Sequence, residues 1–210
     1  MNRWLLTLIV QLTLGNAVGA RQQLTIPELI ERSRPDPVHV TRVREVMPPN
    51  LEELVARSTI VVRGTVRILR TYLSPDQRTL LTDYEVVPQR FIAHSGPPLT
   101  AKGPGVVPLV FTRWGGETTI NGLKVIVQDL NVRPLVEGDD MILFLRRPGA
   151  SDRYELVSPV AAMFSVGGGR VRPHVVGSPD QDDLARLSPD EFSNEIQRAS
   201  AAKLGNRAVR

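Results

Sequence analysis

Three histidines, His39, His94 and His174, are the chain's candidates for transition-metal ligation or general-base work. A zinc site or a catalytic base with local partners shows as a short spacing such as H-x-x-x-H, and none of the three has it. Each reads as an ordinary strand or surface residue. A serine hydrolase needs a nucleophile elbow, G-x-S-x-G, but His94-Ser95-Gly96 and Gly177-Ser178-Pro179 lack its glycines. Gly167-Gly168-Gly169-Arg170 resembles a phosphate loop until the element after it is considered. A phosphate loop opens a helix, whereas here a strand follows, so the glycines read as a hairpin turn. Asp180, Asp182 and Asp183 lack the glycine and the distal glutamate of a calcium loop and read as a solvated stretch. No catalytic residue, metal site or cofactor is expected.

One segment has binding chemistry. In Arg113-Trp114-Gly115-Gly116-Glu117 a large aromatic stands beside two glycines at the end of a strand. The glycines free the backbone, the tryptophan offers a rigid apolar surface, and the arginine can hold an anionic group. Arg113, Trp114, Gly115, Gly116 and Glu117 are therefore the binding candidates, on a loop expected over 113–119 with Trp114 largely exposed. The competing expectation is a wide hairpin turn with Trp114 folded back over the barrel end.

The elements that must carry this segment are mostly strands. From Thr59 the pattern has period two, and Ser74-Pro75-Asp76 turns the chain into a second alternating run from Leu80 to Val87. Keeping like faces together in that hairpin sets Arg63 and Arg67 on the face of Asp83 and Glu85. Residues 88–105, with four prolines and three glycines, read as a long loop. Further strands are expected over 106–112, 123–128, 141–146, 154–157, 163–166 and 171–176. Met141-Ile142-Leu143-Phe144-Leu145 is apolar without alternation, as in a strand covered on both faces. Asn50 is set to cap a short helix over 51–57, and Ser188-Pro189-Asp190-Glu191 to open a C-terminal helix ending near Ser200.

The chain divides accordingly. Residues 1–20 read as a secretory signal: Arg3, an apolar run from Trp4 to Leu14, then the small residues Val18-Gly19-Ala20, with cleavage between Ala20 and Arg21. A proline-rich extended arm, residues 21–49, has a short helical start near Ile26 and can add an edge strand. The β-barrel domain spans 50–178, followed by a linker, 179–187, a helix, 188–200, and a basic tail, 201–210. The chain has no cysteine, which excludes disulfides, a thiol nucleophile and a cysteine-borne lipid anchor. The expected location is periplasmic or secreted, with no stable membrane anchor after cleavage.

The run Leu54-Val55-Ala56-Arg57-Ser58-Thr59-Ile60-Val61-Val62-Arg63-Gly64-Thr65-Val66 resembles the opening of a family of uncharacterised exported bacterial proteins, in which a short helix enters a strand of the form "a-D-x-V-V-x-G-x-V". Gly115-Gly116-Glu117 and the run from Val136 to Leu145 are similar to that family's "G-G-E" and "G-E-x-x-L-L-F-L" segments. The arrangement also resembles the netrin-like, tissue-inhibitor-of-metalloproteinase type of OB barrel. These resemblances imply a mainly β fold: an OB-like antiparallel barrel of five or slightly more strands with a ligand- or protein-binding face. Those inhibitors engage their target metal through an N-terminal cysteine, so that mechanism does not carry over.

The resulting expectation is an exported, non-enzymatic binding module for a protein or an anionic envelope component. A net charge of +4 agrees with an anionic partner. One alternative is a hydrolase-type enzyme assembled only by the fold, through His94 or His174 with nearby acids. The other is a single-stranded nucleic-acid binder, which export and a 5% aromatic content disfavour, because base stacking needs aromatic platforms.

Overall fold

The structure, a computed structural model, describes residues 9–12, 24–42, 49–95, 108–149, 152–175, 181 and 183–208. In chain order the elements are β1 (Ile9–Leu12), α1 (Ile26–Ser33), β2 (Val38–Arg42), α2 (Leu51–Arg57), β3 (Ile60–Leu73), β4 (Leu80–His94) and β5 (Leu109–Trp114). They continue with β6 (Gly116–Ile120), β7 (Leu123–Asp129), β8 (Asp140–Arg146), β9 (Arg153–Leu156), β10 (Met163–Gly167), β11 (Arg170–Pro173) and α3 (Pro189–Ala208).

Five strands close a barrel in the order β8-β3-β4-β5-β9, and β9 returns to β8. Every pairing is antiparallel except β5 with β9. This order with a single parallel pair is that of an OB barrel, as the resemblance implies. Met141 to Leu145 of β8 are fully buried. Phe144 of β8 packs edge-on against Phe164 of β10 and Phe192 of α3, whose own rings lie 4.8 Å apart.

Both helix caps foreseen on the barrel side form. Asn50 accepts a hydrogen bond from the Glu53 backbone at 2.8 Å, and Ser188 and Glu191 bond reciprocally as a capping box. Phe192 and Ile196 then dock α3 on the barrel. The helix runs on to Ala208 instead of ending near Ser200, through residues of high helix propensity such as Ala201, Ala202 and Lys203.

Three parts of the sequence expectation need correction. The segment 88–105 is not loop from its start, because β4 continues to His94, with Pro88 opposite Gly64 where the register shifts. A side chain at Gly64 would meet the Val87 carbonyl at 2.5 Å, so the close approach there requires glycine. The register shifts also rearrange the hairpin charges. Arg67 faces Glu85 as expected, at 3.6 Å, but Arg63 stands opposite Arg90 and pairs with Asp140 of β8 at 2.7 Å.

The third correction concerns a second sheet, ordered β1-β2-β7-β6, with β2 parallel to β7. Residues 24–42 form the helical start and the added strand expected of them, but the sheet and core that they join were not anticipated. Thr25 and Glu28 form a capping box for α1, and Ile26, Leu29 and Ile30 pack on Val38, Val40, Val125 and Val127 as a separate core. Ile9–Leu12, within the segment expected to be removed on export, stands parallel to β2. Ala20 and Arg21 lie outside the described residues. Among those described, no helix is long and apolar enough to cross a membrane.

Candidate functional site

The candidate segment lies where the chain leaves the barrel for the small sheet. β5 ends at Trp114, Gly115 and Gly116 make the crossing with φ of 97° and 134°, and β6 begins at once. What reads in the sequence as a loop over 113–119 is thus two strands joined by a glycine step. The glycines are required by packing. A side-chain carbon on Gly116 would fall 2.2 Å from the Thr82 hydroxyl oxygen, and one on Gly115 would fall 2.9 Å from the Val127 carbonyl.

Trp114 is not the largely exposed anchor expected. It is half-buried against the second core with Leu73, Ile120 and Leu123, because the immediate turn into β6 folds it over that sheet. Arg113, on the opposite side of β5, donates to the Arg133 carbonyl at 3.1 Å and so bridges the barrel to the β7–β8 connection. Glu117 is exposed and pairs with Lys124 of β7 at 2.6 Å.

Two cavities meet at this point. The first, about 360 Å³, is bordered by Arg57 at the end of α2, Arg113, Trp114, Arg146 and Glu155. The second, about 350 Å³, lies between the barrel mouth and the small sheet, bordered by Ile68, Tyr84, Arg113, Trp114, Glu117 and Leu135. Arg113, Trp114 and Asp129 belong to both. The exposed large hydrophobics among the described residues are Ile68, Leu69, Leu130 and Val136. Ile68 borders the second cavity, and each of the others directly follows a residue that does. The turn carrying Val136 is held beside β3 by three bonds: Val66 to the Asp139 carbonyl, Gly138 to the Val66 carbonyl, and the Ile68 backbone to the Glu137 carboxylate at 2.7 Å.

The sequence missed most of this surround. Arg57, Ile68, Leu135 and Arg146 come from four distant elements, and only the break in alternation at Ile68-Leu69 marks any of them locally.

The other titratable groups have structural surroundings. The Asp83 carboxylate, 1% exposed, accepts from Thr112 at 2.7 Å, Arg153 at 2.7 Å, Tyr72 at 3.2 Å and Arg70 at 2.9 Å. Burial alone would raise its pKa, but the bonds from Arg153, Thr112 and Arg70 outweigh burial and hold it at about 2. The network joins β3, β4, β5 and β9.

His174 is buried after β11, and neither ring nitrogen has a hydrogen-bond partner among the described residues. Burial, assisted by the nearby Arg113 charge, lowers its pKa to about 4, so the ring is neutral at pH 7. His39 is half-buried on β2, and His94 is half-buried at the end of β4. Among the described residues, no group of three or more His, Asp or Glu is placed to hold a metal ion. Gly168 and Gly169 form the β10–β11 turn at φ of 59° and 73°, as the sequence suggests. Asp183 is exposed, while Asp180, Asp182 and Ser178 lie outside the described residues.

No family model, curated protein or solved structure matches the chain.

Proposed function

We propose that the chain is an exported, non-enzymatic binding module that contacts a protein or an anionic component of the cell envelope through the surface around Arg113–Glu117. The observation that carries this is the meeting of two cavities at Arg113 and Trp114, with the exposed Ile68 bordering the second. An apolar surface of this kind is costly in water and is retained where a partner covers it. Arg57, Arg113 and Arg146 outnumber Asp129 and Glu155 around the first cavity, a small positive excess that favours a partner with negative charge even though Arg57 and Arg146 are paired with Glu53 and Glu155. Two groups suited to chemistry are held within the fold, the Asp83 carboxylate by its four donors and the His174 ring by burial.

Export rests on the composition of residues 1–20, and mass analysis of the protein recovered from the envelope or medium tests it. A mature chain beginning at Arg21 is the expected result. For the binding function, tagged mature protein and its Arg113→Ala variant are used to capture components from an envelope extract. The wild type is expected to retain a component that the variant does not. Equal retention by both places the contact elsewhere.

A further inference from the structure

β6 is the outermost strand of the small sheet, paired with β7 on one side and with no strand on the other among the described residues. Asn121 and Gly122, at φ of 51° and 80°, close a two-residue turn, which makes Ile120 and Leu123 a hydrogen-bonded pair. Bonded pairs alternate along an antiparallel ladder. Thr118 and Gly116 therefore bond to β7, while Glu117 and Thr119 turn their N–H and C=O groups outward to the open edge. Glu117 borders the cavity between the barrel mouth and the small sheet, and opposite it in register stands Ile126, which borders the cavity too.

We infer that the open edge of β6 accepts an extended peptide segment as an added strand of the small sheet, setting an apolar side chain of that segment into the cavity beside Ile68 and Leu135. This deepens the function proposed above, since it specifies the class of partner and its mode of docking. Two observations select a peptide over a lipid or a small ligand. The outward groups of Glu117 and Thr119 are spaced as alternate residues of a strand, a pattern that another extended backbone matches. Alternation in such a segment then places every second side chain on the Glu117 face, toward the cavity and its exposed apolar rim. Main-chain bonds supply affinity without regard to sequence, and the cavity selects for an apolar residue.

The probe is a fluorescein-labelled peptide alternating threonine with leucine and phenylalanine, flanked by glutamates, titrated into the mature protein and followed by anisotropy. Saturable binding is expected. It should weaken by about tenfold or more when alternate peptide amides are N-methylated, and by a similar factor in Thr119→Pro, which removes an outward N–H that the β6–β7 ladder does not use. Should Thr119→Pro fail to fold, Glu117→Pro, which removes the other outward N–H of β6, takes its place and tells binding at this edge from binding at the β2 edge that loss of β1 opens. No saturable binding, or equal binding by the plain and methylated peptides, overturns the inference. A concentration-dependent dimer of the free protein that Thr119→Pro abolishes also overturns it, since the edge then takes a second copy of the chain. If Arg113→Ala loses a component from the extract while Thr119→Pro retains it, the proposed function stands and strand addition falls.

Discussion

Thr82 of β4 donates its hydroxyl hydrogen to the carbonyl oxygen of Gly115 at 2.6 Å, fixing the point where the chain leaves the barrel for the small sheet. Because that hydrogen is used, Thr71 is the donor in the 3.0 Å contact between the two threonine hydroxyls. The Gly115 backbone N–H meanwhile bonds to the Leu80 carbonyl at 2.8 Å. The crossing is thus held against the β3–β4 hairpin from both of its backbone sides.

Gly116→Ala tests this junction. The new methyl group would fall 2.2 Å from the Thr82 oxygen, in a backbone region that side chains rarely adopt, so a loss of about 2–4 kcal/mol is expected. Gly138→Ala is the control. Its φ is also positive, at 89°, but the space is open, so about 1 kcal/mol is expected. Denaturant melts of both variants measure the difference, and equal losses would mean that the close approach to Thr82 has no energetic weight.

Asp83 ties four barrel strands together, and Asp83→Ala is expected to cost about 3 kcal/mol, as for loss of a buried, fully bonded carboxylate. The loss is moderated because Arg70 and Arg153 are half-exposed and can regain water. Its pKa is depressed in the folded state, so its stabilisation is complete above the unfolded value near 3.8 and is lost as pH falls toward 2. Melts between pH 5 and pH 2 (roughly the range over which such a carboxylate titrates) should show a slope in the wild type that is reduced in Asp83→Ala.

His174 acts in a different window. Its folded pKa of about 4 lies below the ordinary 6.5, so the unfolded chain takes up a proton first and stability falls as pH drops from 6.5 toward 4. The slope contributed is about 1 kcal/mol per pH unit. The upper part of that window is diagnostic, because the lowered carboxyls of Glu28, Asp76 and Glu191 titrate below it. His174→Leu should flatten the slope there while folding normally at neutral pH. An unchanged slope would show that the ring is protonated in the fold.

Trp114→Ala is expected to lower stability by about 2–3 kcal/mol, less than a fully buried tryptophan, because the side chain is half-buried against the second core. Binding lost in that variant therefore does not by itself identify a contact residue, and Arg113→Ala is the informative substitution. The sequence holds two tryptophans, Trp4 and Trp114. If the chain is cleaved after Ala20, Trp114 is the one that remains, and its fluorescence reports directly on the junction between the two cavities.

The barrel was legible because its signals are local. The period-two runs of β3 and β4, the unbroken apolar run of β8 and the Asn50 and Ser188 caps each fall within one short window. The second sheet was not, because its central pairing joins Val38 to Val125 across a long sequence separation. β6 escaped notice for another reason. Gly-Glu-Thr-Thr-Ile is a half-exposed edge strand whose alternation carries little apolar contrast. Trp114 and its glycines mark the candidate segment in the sequence, but the glycines serve the close approach to Thr82 and Val127. The cavities depend on Arg57, Ile68 and Arg146 arriving from separate elements, and no local pattern encodes such convergence.

The central claim is that a partner sits on the surface around Arg113–Glu117, and site-specific photo-crosslinking in cells measures it most directly. A benzoylphenylalanine at Glu117, exposed beside the second cavity, is compared with one at Glu195 on α3. The account predicts a discrete crosslinked adduct from the Glu117 position, absent from the Glu195 position and lost on adding Arg113→Ala. Adducts of equal yield from both positions, or none from Glu117 while the protein is folded and exported, would contradict it.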